Sequence, residues 1–395
     1  MTRDPRRERR IAVLGAGMLG SSLAILLARN GFRVTLFEGS DRPLNRAGRW
    51  NEGKIHLGYL YAADRSLNTA RKLIPGGLAF QSIVEDLIET SIEPHLTPGD
   101  ECFLIHGDSV VDPDSMFQYA KAVWAIAGGM GAAHAQPTLL LRHELAELST
   151  NPQIVAGYRI PERSVDTNWL ADRLAERVAS DQLIELKCNC FVTSLSREQG
   201  RWRIATAHGG FDGFDAVINA LWEGKSAIDE AAGLTSDQIL TYRYRVAIFL
   251  KVPNTSLKNV VITTGPFGDT KNYDGRNVYL SWYPAGLLLH SRQKHAPTAP
   301  VLHQNLEREI CSRVVEELGQ YFPAVTEISK TAEQLLVRGG WIVAPGEGVL
   351  SDPLSSLHRR DELGILHRDN YYSVDTSKYS VAPWLATKVA LDLAG

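Results

Sequence analysis

The feature that most constrains this chain is Gly15-Ala-Gly17-Met-Leu-Gly20, set between a short apolar run, Ile11–Leu14, and a helical apolar repeat, Met18–Arg29. The repeat stops at Asn30–Gly31, and a β-branched and aromatic strand follows at Arg33–Phe37. A strand, a helix and a strand in this order favour a parallel sheet of the Rossmann type. Each glycine has a task at the strand-to-helix turn. Gly15 permits the tight turn, Gly17 lets a pyrophosphate approach the backbone, and Gly20 lets helix and strand pack closely. The helix start at Met18 and Leu19 then offers free N–H groups to the phosphates. Glu38, 18 residues after Gly20, ends the second strand and would accept hydrogen bonds from ribose hydroxyls; Gly39 follows it. The turn predicts a dinucleotide site but does not choose FAD over NAD.

The next segment makes that choice. Arg49-Trp-Asn-Glu-Gly-Lys-Ile-His-Leu-Gly58 resembles the flavin-side motif of the D-amino-acid oxidase superfamily. The most similar pattern is R-N-S-G-V-I-H-x-G of L-2-hydroxyglutarate oxidases, matched here by Asn51, Gly53, Ile55, His56 and Gly58. The resemblance implies FAD as cofactor, with Arg49, Asn51, Glu52, Gly53, Lys54, Ile55 and His56 passing along its pyrophosphate and ring. It extends loosely to Phe191–Leu195 and Asp215–Ala220, implying that Val192 lies near the adenine and Ala220 beside the cofactor. Ser377-Lys-Tyr-Ser-Val-Ala-Pro383 looks like the family's final turn and helix, implying that Lys378, Tyr379 and Ser380 approach the flavin pyrimidine. Three departures stand out: Trp222 and Ser377-Lys378 where glycine is frequent, and no G-x-R-P arginine, its place taken by Gly339-Gly-Trp-Ile-Val-Ala-Pro345.

With 395 residues the chain exceeds the roughly 250–300 residues one core supports. The order of elements suggests interleaved domains. The expected fold is α/β: a discontinuous, glutathione-reductase-like FAD-binding domain over 1–80, 160–235 and 335–395, with a mixed-sheet α+β substrate domain over 81–159 and 236–334. Helices are expected at Pro75–Thr90, Ser115–Ala127, from an Asp166 N-cap to Val178, at Val301–Leu318 and at Ala382–Leu393. Strands are expected at Glu101–His106, Ile154–Ile160, Trp202–Thr206, Tyr242–Val252, Val260–Thr263 and Val278–Tyr283.

A net charge of −3 and a pI near 6.4 give no basic field for nucleic acid. The basic Met1–Arg10 followed by the uncharged Ile11–Ala28 imitates a signal or anchor. The apolar stretch is shorter than the roughly 20 residues a span needs, and glycines punctuate it, so no membrane span is expected. Cys188 and Cys190 alternate on an expected strand. C-x-C is not the C-x-x-C of zinc or redox sites, and reduced, buried thiols in a cytoplasmic protein are the simpler reading. No metal site is expected.

His56 is the first candidate for chemistry, as a base or flavin contact; an ordering role in its loop and covalent flavin attachment are alternatives. Lys54 points the same way as His56 if the segment is extended; a solvated lysine is the alternative. An acidic substrate wants an arginine fork. Arg243, Arg245, Arg276 and Arg338 qualify, with Arg338 preferred for its place near the absent G-x-R-P. Arg243 and Arg245 share one strand face, which an exposed edge would equally explain. Tyr279, Trp282 and Tyr283 on one strand suit a pocket wall or a sheet core, and Tyr283 completes the candidate set.

These readings imply hydride transfer to flavin N5 from a small-molecule substrate. The leading expectation is an amine or amino acid; the second is a 2-hydroxy acid. The electron acceptor would be O2, a quinone or another carrier. An NAD-dependent dehydrogenase and a non-catalytic flavin-binding regulator are the contrasting alternatives.

Overall fold

The computed structural model describes residues 9–234 and 236–395. Positions 1–8 of the basic N-terminal run lie outside the described residues. The first sheet has six strands in the order Gly364–Arg368, Tyr371–Asp375, Ala216–Asn219, Arg10–Leu14, Arg33–Phe37, Ile184–Lys187. All neighbours are parallel except the antiparallel edge strand Gly364–Arg368. Alternation along the first strand assigns its two faces. Ile11 and Val13 pack with Leu23 and Leu27 of the first helix and with Leu385 and Val389 of the last. Ala12 and Leu14 face a three-stranded antiparallel sheet, Val192–Glu198, Arg201–Thr206 and Gly209–Phe214, through Trp202, Ile204 and Phe214. Each such buried side chain contributes roughly 1.5–3 kcal/mol.

The second sheet has nine strands and is built on Leu240–Lys251. That strand pairs on one side with Leu287–Gln293 and Asn277–Trp282, and on the other along its whole length with Gln334–Pro345. The amphipathic helix Gln304–Tyr321 covers one face through Ile310, Val314 and Leu318. Asp166 caps the helix Thr167–Ser180, its carboxylate accepting from the amides of Asn168 and Trp169.

Four expectations need correction. The strand Gln334–Pro345 lies in the second sheet, so residue 335 does not begin a cofactor-side segment; twelve continuous residues pair better than they could at the edge of the short parallel sheet. The helix expected from Pro75 begins earlier and spans Asn68–Ile88, across the expected boundary at 80. Cys188 sits in a turn with Asn189 at φ +53°, not on a strand, and all four cysteines are free. Tyr283 lies just past the strand Asn277–Trp282, opening a short helical turn closed by the amide of Leu287. Among the described residues no helix is long and apolar enough to cross a membrane.

Candidate active site

The glycine turn is shaped by two close approaches and one open space. Gly15 adopts φ +94°, and a Cβ at Gly20 would stand 1.8 Å from the Gly15 carbonyl oxygen. A Cβ at Gly17 would meet no atom within 4 Å. The helix beginning at Met18 has no side-chain cap and no acidic residue in its first turn, so its N–H groups and partial positive charge face the open space. Glu38 is buried at the end of its strand. Its carboxylate accepts from the amides of Ala16 (3.0 Å) and Ser40 (2.7 Å). The segment leading to Val192 runs beside it, the Cys190 amide donating to the Glu38 carbonyl.

From this turn a continuous cavity runs between the two sheets. Gly17, Met18, Leu19 and Ala220 line one end. Asn51, Glu52, Lys54, His56, Lys378 and Tyr379 line the middle. The Asn51 side chain orders its own loop, accepting from the Gly53 amide and donating to the Ala47 carbonyl. His56 is buried, its amide donates to Ser380 Oγ at 3.1 Å, and its Nδ1 has no partner. Burial, then Lys378, Lys54, Lys271 and Arg360, hold its imidazole well below the ordinary histidine range. It is therefore neutral at pH 7.

Lys54 is not solvated. It is buried in an ion cluster that ties its loop to the second sheet. Its ammonium contacts Glu101 and lies 3.7 Å from Glu162; Lys271 reaches Glu101 at 3.0 Å and Asp269 at 3.8 Å. Burial, reinforced by Lys271 and opposed by Glu162, brings Lys54 down to about 7. Burial and the repulsion of Arg360 bring Lys378 down to about 7 as well. Burial pushes the Glu52 carboxyl up, but Lys378 and Arg245 outweigh it and hold the group below its ordinary value. Glu52 is thus an anion at neutral pH.

The far wall carries arginines. Arg243 and Arg245 both line the cavity from the central strand, so the exposed-edge reading fails. Arg243 is buried and donates to the Tyr283 hydroxyl at 2.9 Å. Arg245 donates to Ser281 Oγ, lies 3.6 Å from Asp269, and stacks 5.1 Å from the Tyr283 ring centroid. Arg360 enters from a coil segment, buried, with Nη1 on the carbonyls of Leu357 and Arg359. The hydroxyls of Tyr61 and Tyr379 are buried without partners.

Several expected residues fall elsewhere. Arg338 is bound to Glu307 at 2.8 Å with 40% of its side chain exposed, and it does not line the cavity. Arg276 pairs with Glu333 at the surface. Arg49 is buried against Asp172 (2.6 Å) and the Leu44 carbonyl, so it anchors its loop instead of facing the cavity. Gly53 is a packing position, where a Cβ would meet the Val165 carbonyl oxygen at 1.9 Å. Gly39, Ile55, Val192 and Ser380 are not among the residues that line the cavity. Arg360 carried no periodic or motif signal. The Arg243-x-Arg245 alternation within an otherwise apolar strand was the legible sign of the cationic wall.

The space above Gly17, the uncapped helix start, and the partnerless His56 Nδ1 and Tyr379 hydroxyl in one cavity fit an extended dinucleotide with a ring at its end. Comparison with known proteins agrees. The family model described as FAD dependent oxidoreductase matches residues 10–354. The crystal structure of glycine oxidase from Geobacillus kaustophilus superimposes with a TM-score of 0.69 at 17% identity, over 98% of this chain and 95% of that one. L-amino acid deaminase from Proteus vulgaris does so with a TM-score of 0.68 at 12% identity, over 100% and 95%. At these identities the likeness is one of fold. Kynurenine 3-monooxygenase of Salinispora tropica is 40% identical over 63 residues, 16% of this chain and 14% of that protein.

Proposed function

The chain belongs to the family of FAD dependent oxidoreductases, and on that premise we propose that it oxidises the carbon beside the amine of a small amino acid. Bound FAD supplies the hydride acceptor. The chain's own residues do the rest. Gly15, Gly17, Met18, Leu19, Gly20 and Glu38 form the cradle for the pyrophosphate and ribose, and Asn51, Glu52, Lys54, His56, Ala220, Lys378 and Tyr379 line the space beyond it.

One observation carries the reading: a buried cationic wall and an ionised carboxylate share the cavity. Arg243, steadied by Tyr283, offers the planar fork that suits a substrate carboxylate. Glu52, held anionic by Lys378 and Arg245, offers a place for an ammonium group before it loses its proton. An amine then needs only to be neutral, and a neutral His56, whose Nδ1 has no partner, has one ring nitrogen able to accept its N–H. Trp50, Phe267 and Tyr279 close the cavity with apolar surface, which strengthens each polar contact by excluding water. The electrons pass on to O2 or a quinone-type carrier. Four free thiols fit action in the cytoplasm.

A 2-hydroxy acid is the second reading. The resemblance of Asn51–Gly58 to L-2-hydroxyglutarate oxidases favours it, and so does His56, because a hydroxyl needs a base and a neutral imidazole can serve. The experiment is anaerobic flavin reduction by matched panels of amino acids and 2-hydroxy acids, both enantiomers of each. Amino acids are expected to bleach the flavin. Bleaching by hydroxy acids alone overturns the first reading in favour of the second.

A further inference from the structure

We propose that the cavity is built for an acid with two carboxylates, one answering Arg243 and the other Arg360. This rests on the reading of the cavity as the substrate site of a flavin enzyme, and it narrows the substrate to an amino dicarboxylic acid.

The argument is a matching of charges. Around the cavity, Lys54, Lys271 and Arg245 each lie within ion-pair distance of a carboxylate: Glu101 and Glu162 for Lys54, Glu101 and Asp269 for Lys271, and Asp269 for Arg245; the strongest attraction on Lys378 comes from Glu52. Four cations therefore face four carboxylates. Arg243 and Arg360 are left over. Among the described residues neither forms an ion pair; Arg243 has only the Tyr283 hydroxyl, and Arg360 only backbone carbonyls. Both are at least 95% buried, at 2% and 5% exposure, and the Nε of each has no partner. Both line the cavity beside Tyr61, Tyr283 and His358. Asp375 is the acid that Arg360 feels, but the two form no ion pair, and the strongest attraction on Asp375 comes from Lys225.

Two adjacent buried guanidiniums without a counterion are costly, and the cost shows: burial, then Arg243, lower Arg360 to about 10. A single carboxylate answers one of them and leaves the other unpaired. A dianion answers both. The planar donors of arginine suit carboxylates, where a lysine pair would act as point charges.

The test uses the purified FAD-loaded protein and two unreactive acids, glutarate and butyrate, titrated against the flavin absorbance. Glutarate is expected to bind about tenfold to a hundredfold more tightly than butyrate, from one further charge-assisted contact. Arg360→Gln and Arg243→Gln are each expected to level the two, with butyrate affinity falling less than glutarate affinity. Equal binding of the two acids to the wild-type protein overturns the proposal. So does a glutarate preference that survives both substitutions. Should one variant lose FAD or melt early, the wild-type comparison and the other variant still decide. Flavin reduction by glutamate against glutamine, and aspartate against asparagine, then separates the two claims. Tight glutarate with bleaching only by hydroxy acids refutes amine oxidation and spares the dicarboxylate site. Equal bleaching by the acids and their amides, with weak glutarate, does the reverse.

Discussion

The two ends of the cavity are built by different logics. At the glycine turn, six consecutive residues create the cradle, and every constraint is local: a positive φ at Gly15, a Gly20 that cannot carry a Cβ, a helix start without a cap. At the cationic wall, Arg243 comes from a central strand, and Arg360 and Lys378 come from a coil and a terminal turn more than a hundred residues further along the chain. At the first end the fold excludes a side chain at Gly20 and leaves room for one at Gly17. The second is assembled only when both sheets are in place, and the buried Lys54–Glu101–Lys271 cluster is the charged joint between the Asn51–Gly58 loop and the second sheet.

The sharpest way to break this contrast is at the turn itself. Gly20→Val pushes a side chain into the Gly15 carbonyl and should cost about 3 kcal/mol or more, read as loss of FAD and a collapsed denaturant midpoint. Retention of both would remove the steric account of the turn. Lys54→Met tests the joint: it leaves Glu101 and Glu162 short of a buried counterion and should destabilise by about 3–5 kcal/mol, measured by denaturant unfolding. A change near zero would show that the docking of the loop on the second sheet does not depend on the cluster. Gly17→Leu sharpens the comparison because the fold has room for the new side chain. The protein should fold with near-native stability while FAD binds about a hundredfold more weakly, roughly 2.7 kcal/mol; unchanged FAD affinity would put the diphosphate elsewhere.

The next effect is one of pH. Lys54 and Lys378 titrate near 7 in the folded protein against an ordinary 10.5. Between about pH 7 and 9 the unfolded chain keeps protons that the folded protein has given up, so these lysines make stability rise with pH across that window. Anion binding in the cavity goes the other way, because Lys378 loses its charge. Glutarate affinity should fall by up to about tenfold per pH unit above 7, and Lys378→Met should flatten that slope. His56, neutral well below its ordinary range, should add no break near pH 6.5. The smallest effect belongs to Arg338→Ala. It removes a half-exposed ion pair with Glu307, should cost under about 1 kcal/mol, and should leave flavin reduction unchanged. A large loss of activity there would move the cationic wall away from Arg243 and Arg360.

The cradle was legible because it depends on sterics and spacing within one turn, and the Arg49–Gly58 stretch because its run of residue types carries a family resemblance. Helices such as Gln304–Tyr321 and Ala382–Ala394 were legible for the same local reason, an apolar repeat of one period. The failures were residues whose role depends on what lies across from them. Lys54 reads as an ordinary exposed lysine until Glu101 and Glu162 are brought over it. Arg338 and Arg243 look alike as arginines on strands, and only the partners decide between them: Glu307 for one, the open cavity for the other.

The sequence by itself determined that a parallel strand–helix–strand unit forms and that its turn is left open and uncapped, since backbone geometry and missing Cβ atoms act over a few ångströms of contiguous chain. Only the tertiary structure decided which charges are answered and which are left for a ligand. Electrostatic pairing in a buried site is a property of the whole neighbourhood, and that neighbourhood exists only once both sheets have closed around it.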